Sequence, residues 1–584
     1  MEYSPLFFLL LIDASDILRE YWGYPSFRPL QREIIDSVLA GHDTLAILPT
    51  GGGKSLTYQV PSLILPGVTL VISPLIALMT DQVRSLRKRG IRAIVLHGGL
   101  SHNRVLDILE QAQFGAYDLI YLSPERLVSE FFRTRIQYVD VSLIAVDEAH
   151  CISQWGYDFR PPYLRIAEIR NYFPNAPVLA LTASATKNVA DDIEKFLSLP
   201  GCESSFKRFC QSIRRDNIVY VVRYTKDRYR TIDDILKAVP GTAIIYSRIR
   251  QMTEDIASVL CEIGYTADFY HAGLDRTARE ERQQKWMNGQ IRVLCATNAF
   301  GMGIDKPDVR VVIHFDIPDS LEAYYQEAGR AGRDGEKSYA VLLANDRSVD
   351  ALLHRHEHIF PTKEYIRDVY QKLAEYYVIG AGSGLGAVFP FELEKFCHYA
   401  RLRYSDVQSA LQVLQWAGYI TITDAMDDAS KLQILLSPKD IFVWKQNQID
   451  QDRILDSIMR RYTGIFTDTM HINEEIIADS LSITSTDVYN HLTSLASRGI
   501  VKYVPFRHTP LLIYETERKD SLLLEIPEDA YEQRINNLCE RLKYMYNYVV
   551  STQCRTSILA RYFGEQDLSV CQHCDNCLTN LKSM

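Results

Sequence analysis

From about residue 16 to residue 345 the chain alternates short apolar runs with polar stretches of helical period. The runs at 44–48, 69–72, 118–122, 143–146 and 178–181 are four or five residues long and apolar at successive positions. A strand with no polar face is buried on both sides, as in a parallel sheet covered by helices. A second series begins at 243–246 and continues at 291–295 and 309–314. The pattern predicts an α/β fold of two tandem lobes, over 16–207 and 208–345, after an extension at 1–15. The apolar run 6–12 follows Glu2 and has no basic residue before it, so it reads as part of the first folded element rather than a signal peptide. No run approaches the roughly 18–20 apolar residues of a membrane helix. A soluble, cytoplasmic chain is expected.

After residue 345 the pattern turns helical and strands become sparse. A linker is expected over 346–388. Beyond it lies an internal repeat offset by 81 residues: Asp406, Val407, Leu411, Leu414, Gly418 and Ile420 match Asp487, Val488, Leu492, Leu495, Gly499 and Val501. Ser405 and Thr486 stand at matching positions as helix caps. Helix, turn, capped helix and β-ribbon is the order of a winged helix, so two winged modules are predicted, over 389–440 and 450–525. The glycine-rich stretch 380–386 lacks a lysine and reads as a flexible connector. His354, His356 and His358 read as a solvated helix face.

At 584 residues the length allows about four domains. Apolar residues make up 47% and charged residues 23%, an ordinary globular balance that excludes a disordered or fibrous chain. The net charge of −9 excludes an overall coat of positive charge, but not a local basic channel for nucleic acid. Four of the 11 cysteines fall in the last 31 residues. Cys554, Cys571, Cys574 and Cys577 are spaced C-x16-C-x2-C-x2-C, which suits four thiolates around a structural Zn²⁺ in a small module at 529–584.

Candidate chemistry begins after the first predicted strand, with Leu48-Pro-Thr50-Gly51-Gly52-Gly53-Lys54-Ser55. Glycines there let backbone N–H groups wrap phosphates, Lys54 reaches the β- and γ-phosphates of ATP, and the Ser55 hydroxyl ligates Mg²⁺. Leu48 stands where the usual pattern has glycine. Asp147-Glu148-Ala149-His150 ends the run 143–146, with Asp147 placed for Mg²⁺ and Glu148 for the attacking water. In the second lobe Arg330 and Arg333, three apart, suit fingers on transition-state charge.

These residues together resemble superfamily 2 helicases and, within them, the RecQ family of DNA helicases. Phe27-Arg28-Pro29-Leu30-Gln31 is similar to the adenine-recognition motif. The resemblance implies that Gln31 reads the adenine edge, with Tyr24 and Arg28 around the base; Leu30 replaces a usual glycine. Thr182 to Thr186 resembles motif III, with Ser184 where threonine is usual. Residues 151–161, with Gln154, Trp155, Phe159 and Arg160, resemble the aromatic loop that couples DNA binding to hydrolysis. Two aromatics there can stack on bases, a contact of roughly 1–3 kcal/mol each. Residues 296–307 are similar to a second-lobe motif, which implies Gly303 and Asp305 at the nucleotide cleft and Thr297 near the DNA backbone. The C-terminal module resembles the RecQ zinc module, although it follows the repeat rather than the second lobe directly.

The whole is expected to be two RecA-like lobes, a mainly helical region with winged-helix modules, and a zinc module. The resemblance implies an ATP- and Mg²⁺-dependent helicase, acting as a monomer on single-stranded and duplex or forked DNA, moving 3′-to-5′ in repair or recombination. An RNA helicase and a DNA-binding clamp without unwinding are the alternatives. Phe506 and Arg507, in the turn of the second ribbon, are expected to touch the duplex end.

Overall fold

The computed structural model describes the chain apart from residues 1–12, 97–99, 101, 129, 154–159, 199–205, 302–305, 423–429, 438–439, 442–443, 445–452, 463, 467–469, 473, 482, 499, 505–509 and 584. The run 6–12 thus lies outside the described residues. The chain forms two compact units: Met1–Gly98 with His102–Glu357 and Glu532–Met584, and Gly99–Ser101 with His358–Tyr531.

The first unit is built on two parallel sheets. In chain order the first contains β1 (Thr44–Ile47), β2 (Val68–Ile72), β3 (Ala93–Leu96), β4 (Leu119–Leu122), β5 (Val141–Val146), β6 (Val178–Thr182) and β7 (Lys207–Cys210), arranged β3-β4-β2-β5-β6-β1-β7. All residues of β1, β2, β4 and β6 are buried, as runs without a polar face require. β7 pairs with β1 through Cys210, so the first lobe extends past the boundary at 207. The edge strand β7 is polar and largely exposed, and its Lys-Arg-Phe-Cys pattern gives no apolar signal.

The second sheet contains β8 (Ile218–Tyr224), β9 (Thr242–Tyr246), β10 (Ala267–Tyr270), β11 (Val293–Ala296), β12 (Val309–His314) and β13 (Ser338–Ala344), arranged β10-β11-β9-β12-β13-β8. Its core runs through Ile245, Val293, Val311, Ile313 and Leu343, packed against helices Arg228–Ala238 and Arg250–Glu262. The residues expected to bind phosphate and to hydrolyse it follow the carboxyl ends of β1 and β5, where open α/β sheets hold ligands. Helix Glu532–Val550 returns to this unit and leads to Arg555–Tyr562 and Asp575–Ser583.

The second unit holds two three-stranded antiparallel sheets. One contains β14 (Val388–Pro390), β15 (Ile420–Ile422) and β19 (Leu511–Tyr514); the other contains β16 (Lys431–Ile434), β17 (Met470–His471) and β18 (Val501–Val504). The division expected at 389–440 and 450–525 is therefore replaced by a nested one: β16 to β18, over 431–504, form the later sheet, and the earlier sheet takes β14 and β15 from before that segment and β19 from after it. The capping also differs from the sequence expectation. Thr484, not Thr486, caps helix Ser485–Ser497, in a box with Asp487. Arg403 precedes helix Tyr404–Trp416 without a side-chain cap, and Ser405 bonds Asp406 instead. The stretch 380–386 is no loose connector. The Gly382 and Gly386 amides donate to the carbonyls of Arg518 and Tyr514, both at 2.8 Å, and both glycines have positive φ.

Candidate active site and zinc centre

The phosphate loop is a tight turn between β1 and the short helix Leu56–Gln59. Gly51 and Gly53 have φ of 77° and 74°, which a side chain rarely adopts. Gln31 holds the loop from below: its Nε2 donates to the Gly53 carbonyl at 2.9 Å and its Oε1 accepts from the Arg28 amide at 2.9 Å. Arg28 donates to the Gly51 carbonyl. The residues expected at adenine are thus also those that brace the phosphate loop. Tyr24 beside them is 51% exposed, open to a stacking base. Leu30 has φ of 65°, in the left-handed region where the usual glycine costs nothing.

Asp147 and Glu148 follow β5 and are both buried. Burial and the neighbouring Glu148 charge push the Asp147 carboxyl up to about 6, against the pull of Lys54. Burial also opposes the Glu148 charge, but Lys54, His150 and Arg330 outweigh it and hold that carboxyl below the usual range. Glu148 stands in left-handed backbone at φ 48°, a strained position of the kind that clusters at functional sites. His150 Nδ1 lies 3.3 Å from Glu148 Oε2 and 3.0 Å from Thr182 Oγ1. It links the carboxylate to the end of β6.

The second lobe meets this site directly. Helix Leu321–Ala328 ends at Gly329, and its continuation carries both arginines. The Arg333 side chain lies over Gly51, where an added Cβ would come within 3.4 Å of it. Buried Arg330 reaches Gly301 and the Tyr246 hydroxyl. Thr50 Oγ1 donates to the Gly329 carbonyl at 3.3 Å, and Gln326 Nε2 donates to Ser184 Oγ at 3.0 Å. Arg215 bridges the lobes, donating to the carbonyls of Thr50 at 3.2 Å and Gly332 at 2.6 Å. The sequence motifs did not point to Arg215, because it stands in a charged stretch with no pattern around it. His150 and Ser184 lie within quoted motifs, but the bond of His150 to Thr182 and the pairing of Ser184 with Gln326 across the lobes are visible only in three dimensions.

A cleft of about 860 Å³ opens beside the arginines, lined by Arg160, Arg248, Asn298, Gly301, Arg330 and Arg541 among others. Arg160 lines it and donates to the Pro74 carbonyl at 3.3 Å. Thr297, next to Asn298 in the chain, is buried, with its amide on the Tyr270 carbonyl. Gln154, Trp155, Phe159, Gly303, Asp305, Phe506 and Arg507 lie outside the described residues. β18 and β19, on either side of 505–509, belong to different sheets rather than to one hairpin.

The sulfurs of Cys554, Cys571, Cys574 and Cys577 lie within 4.8 Å of one another, with Cys571 and Cys577 4.0 Å apart. A tetrahedral Zn²⁺ with bonds of about 2.3 Å needs sulfurs about 3.8 Å apart, so the four donors fit it. The amides of Cys571 and Cys574 donate to Cys554 and Cys571 sulfur, each at 3.3 Å, which favours thiolates. His573 is not among the converging donors, and the cysteines are the sole such cluster among the described residues. Arg555 and Asp575, beside the ligands, pair at 3.0 Å, and Asp575 Oδ2 accepts from the Val222 amide of β8 at 2.9 Å. The module therefore covers the open edge of the second sheet. No helix among the described residues is long and apolar enough to cross a membrane.

Comparison with known proteins follows the same division. Residues 28–192 match the DEAD/DEAH box helicase family and 227–335 the helicase conserved C-terminal domain. Residues 432–505 match the RecQ helicase winged-helix domain of Bacteroidota, and 517–578 the RecQ zinc-binding domain. The chain is 43% identical over 331 residues to the probable ATP-dependent DNA helicase RecS of Bacillus subtilis, covering 56% of this chain and 66% of that one. It is also 43% identical over 334 residues to the ATP-dependent DNA helicase RecQ of Pasteurella multocida, covering 56% and 52%. A solved structure of the DUF1998 helicase MrfA bound to DNA and AMPPNP aligns at 21% identity over 59% of this chain and 52% of that one, with a TM-score of 0.49. The chain spans about half to two thirds of the length of the two curated relatives. With two parallel-sheet lobes, a winged-helix region and a four-cysteine zinc module in one polypeptide, the chain belongs to the RecQ family.

Proposed function

We propose that this protein is an ATP-dependent DNA helicase that moves 3′-to-5′ along one strand and separates duplex or forked DNA. The observation that carries the reading is the meeting of the lobes. Arg333 lies over the phosphate loop, and Arg330 lies close enough to Glu148 to favour its charge. In this reading the amides of Gly51, Gly52 and Gly53 and the ammonium of Lys54 bind the β- and γ-phosphates, while Tyr24, Arg28 and Gln31 hold the adenine. Ser55 and Asp147 hold Mg²⁺, which when bound supplies charge neutralisation across the phosphates. Ionised Glu148 orients the attacking water, and Arg330 and Arg333 stabilise charge on the transferring group. By the family resemblance Gly303 and Asp305 also take part in nucleotide binding.

Loss of the γ-phosphate removes what both arginines grip, so the contacts through Thr50, Gly329, Ser184 and Gln326 are released and the lobes part. DNA takes part through Gln154, Trp155, Phe159 and Arg160, with Thr297 toward the backbone. Phe506 and Arg507 approach the duplex end. The protein works as a monomer in the cytoplasm, at the nucleoid, in repair or recombination. Unwinding of a 3′-tailed duplex tests this, with Lys54→Ala as control. The expected result is ATP-dependent unwinding that Lys54→Ala abolishes, and ATPase stimulation by single-stranded DNA well above that by RNA. Equal stimulation by RNA, or binding without hydrolysis, would overturn it.

A further inference from the structure

The chain passes from the first sheet to the second through 211–217, and that segment is tied down along its length. It leaves β7 beside the strand that carries the phosphate loop, where the Gln211 amide donates to the Ile47 carbonyl at 3.0 Å. It enters β8 beside the strand that follows the arginines, where the Ser338 amide donates to the Asn217 carbonyl at 2.8 Å. Between these ends Ser212 donates to Glu565 at 3.0 Å, and the Tyr325 hydroxyl donates to the Ile213 carbonyl at 3.1 Å.

Arg215 stands on this fixed backbone, and its guanidinium reaches backbone oxygens of both lobes. Nη1 donates to the Thr50 carbonyl at 3.2 Å, Nη2 to the carbonyls of Ala331 at 3.3 Å and Gly332 at 2.6 Å, and Nε to Asn217 Oδ1 at 3.2 Å. Asn217 Nδ2 adds another donor to the Gly332 carbonyl, at 2.7 Å. Gly332 has φ of 57°, and a Cβ there would come 2.5 Å from Asn217 Nδ2, so only glycine lets the chain pass this close. Thr50 directly precedes Gly51, and Gly332 directly precedes Arg333. The fork therefore grips the residue before each partner of the contact between Arg333 and Gly51. None of the four oxygens belongs to a carboxylate, so the planar fork, and not an ion pair, joins the lobes here. A lysine ammonium, a point charge without that fork, could not replace it.

We propose that Arg215 is a positioning residue for hydrolysis, which sets Arg333 over the phosphate loop as the lobes close. The proposal rests on the reading of Arg333 as a finger on the transferring phosphate. Thr50 and Gly332 lie on different lobes, so the full set of bonds exists only in the closed arrangement. Closure and placement of Arg333 are then one event, and Arg215 acts through Arg333 rather than on the nucleotide.

DNA-stimulated ATPase of the full-length protein tests this, with Arg215→Ala, Arg215→Lys, Arg333→Ala and the double variant of Arg215→Ala with Arg333→Ala. Arg215→Ala should lower kcat by about tenfold or more and change the KM for ATP by less than about threefold, because the bonds it loses serve the transition state. Arg215→Lys should be nearly as slow, since it keeps the charge and loses the fork. The double variant should match Arg333→Ala within about twofold, as residues acting as one unit do. Losses that multiply in the double variant would mean that Arg215 acts apart from Arg333. Full rate in Arg215→Lys would mean that charge alone matters, and a raised KM with unchanged kcat would mean a role in nucleotide binding. Each of these overturns the proposal and leaves the helicase reading standing. Full rate in Arg333→Ala would overturn the finger reading, and the proposal with it. Because Arg215→Ala could misfold, Asn217→Ala supplies a second variant, which removes one donor from the Gly332 carbonyl. Its kcat should fall by about threefold or more, and the loss should vanish in the Arg333→Ala background. A loss that persists there overturns the proposal.

Discussion

Gly329 shows what the lobe interface demands of single residues. A Cβ there would lie 2.1 Å from Thr50 Oγ1, and Thr50 donates to the Gly329 carbonyl at 3.3 Å. The contact is made only when the arginine segment lies on the phosphate loop. Gly329→Ala should therefore hold the lobes apart and lower DNA-stimulated kcat by tenfold or more, about 1.4 kcal/mol of transition-state stabilisation. Thr50→Ala in the same chain removes the nearest clashing atom and should recover part of the rate. No loss in the single variant, or no recovery in the double, would show that the contact does not form during turnover. Gly329 directly precedes Arg330, which sequence does single out, but its partner was not legible, since 279 residues separate them. Lys54, Asp147, Glu148 and the four cysteines stand out in sequence because their chemistry needs fixed spacing. Arg215 has no such spacing, and its role appears only where two loops meet.

At the scale of elements, the parallel strands were readable because burial on both faces leaves them no polar position. β7 escaped notice because an edge strand needs no such pattern. The placement of β16 in the later sheet and of β19 in the earlier one was illegible for a different reason. Lys-Leu-Gln-Ile and Leu-Leu-Ile-Tyr each place apolar residues on the core face, and strands of such a pattern fit either core. Local pattern sets which face is buried, not which repeat supplies the neighbour. The same elements bear on DNA. Helices Tyr404–Trp416 and Ser485–Ser497 contain no Lys or Arg, and residues 358–531 carry 17 Lys and Arg against 24 Asp and Glu. Affinity for duplex DNA rises with the number of phosphates neutralised, so these helices contribute little to it. Gln408→Ala, Asn490→Ala and Thr493→Ala, on their solvent-facing sides, should together change duplex Kd by less than about twofold and leave its salt slope unchanged. Anisotropy titrations between about 50 and 200 mM salt provide the check. A loss beyond about fivefold would make these helices duplex readers.

On the scale of the whole molecule, the late cysteines are far from the second lobe in sequence but return to it in space. β8 is the open edge of the second sheet, and unpaired edge amides are a liability unless covered. Asp575 covers one, taking the Val222 amide at 2.9 Å, and Arg555 holds Asp575 in place at 3.0 Å. Glu565 and Ser569 receive Ser212 and Arg214 from the segment before β8. On the other side of the module Tyr562 donates to buried Glu322 at 2.6 Å, on the helix that leads to Arg330. Burial and that carboxylate push the Tyr562 hydroxyl well up, so it remains a donor across the working pH range. Zinc thus stabilises more than its own knuckle: it fixes the elements that close the sheet edge and seat the arginine helix. Chelation should release one Zn²⁺, speed exchange of the Val222 amide and lower the ATPase rate together. Asp575→Ala should separate these effects, keeping one bound Zn²⁺ while the Val222 amide exchanges at least tenfold faster, which corresponds to about 1.4 kcal/mol, the scale of one buried hydrogen bond. Loss of zinc in that variant would make Asp575 part of the metal site. An unchanged Val222 amide would mean that the edge is held by the remaining contacts, and the zinc module would then stabilise the sheet without closing it.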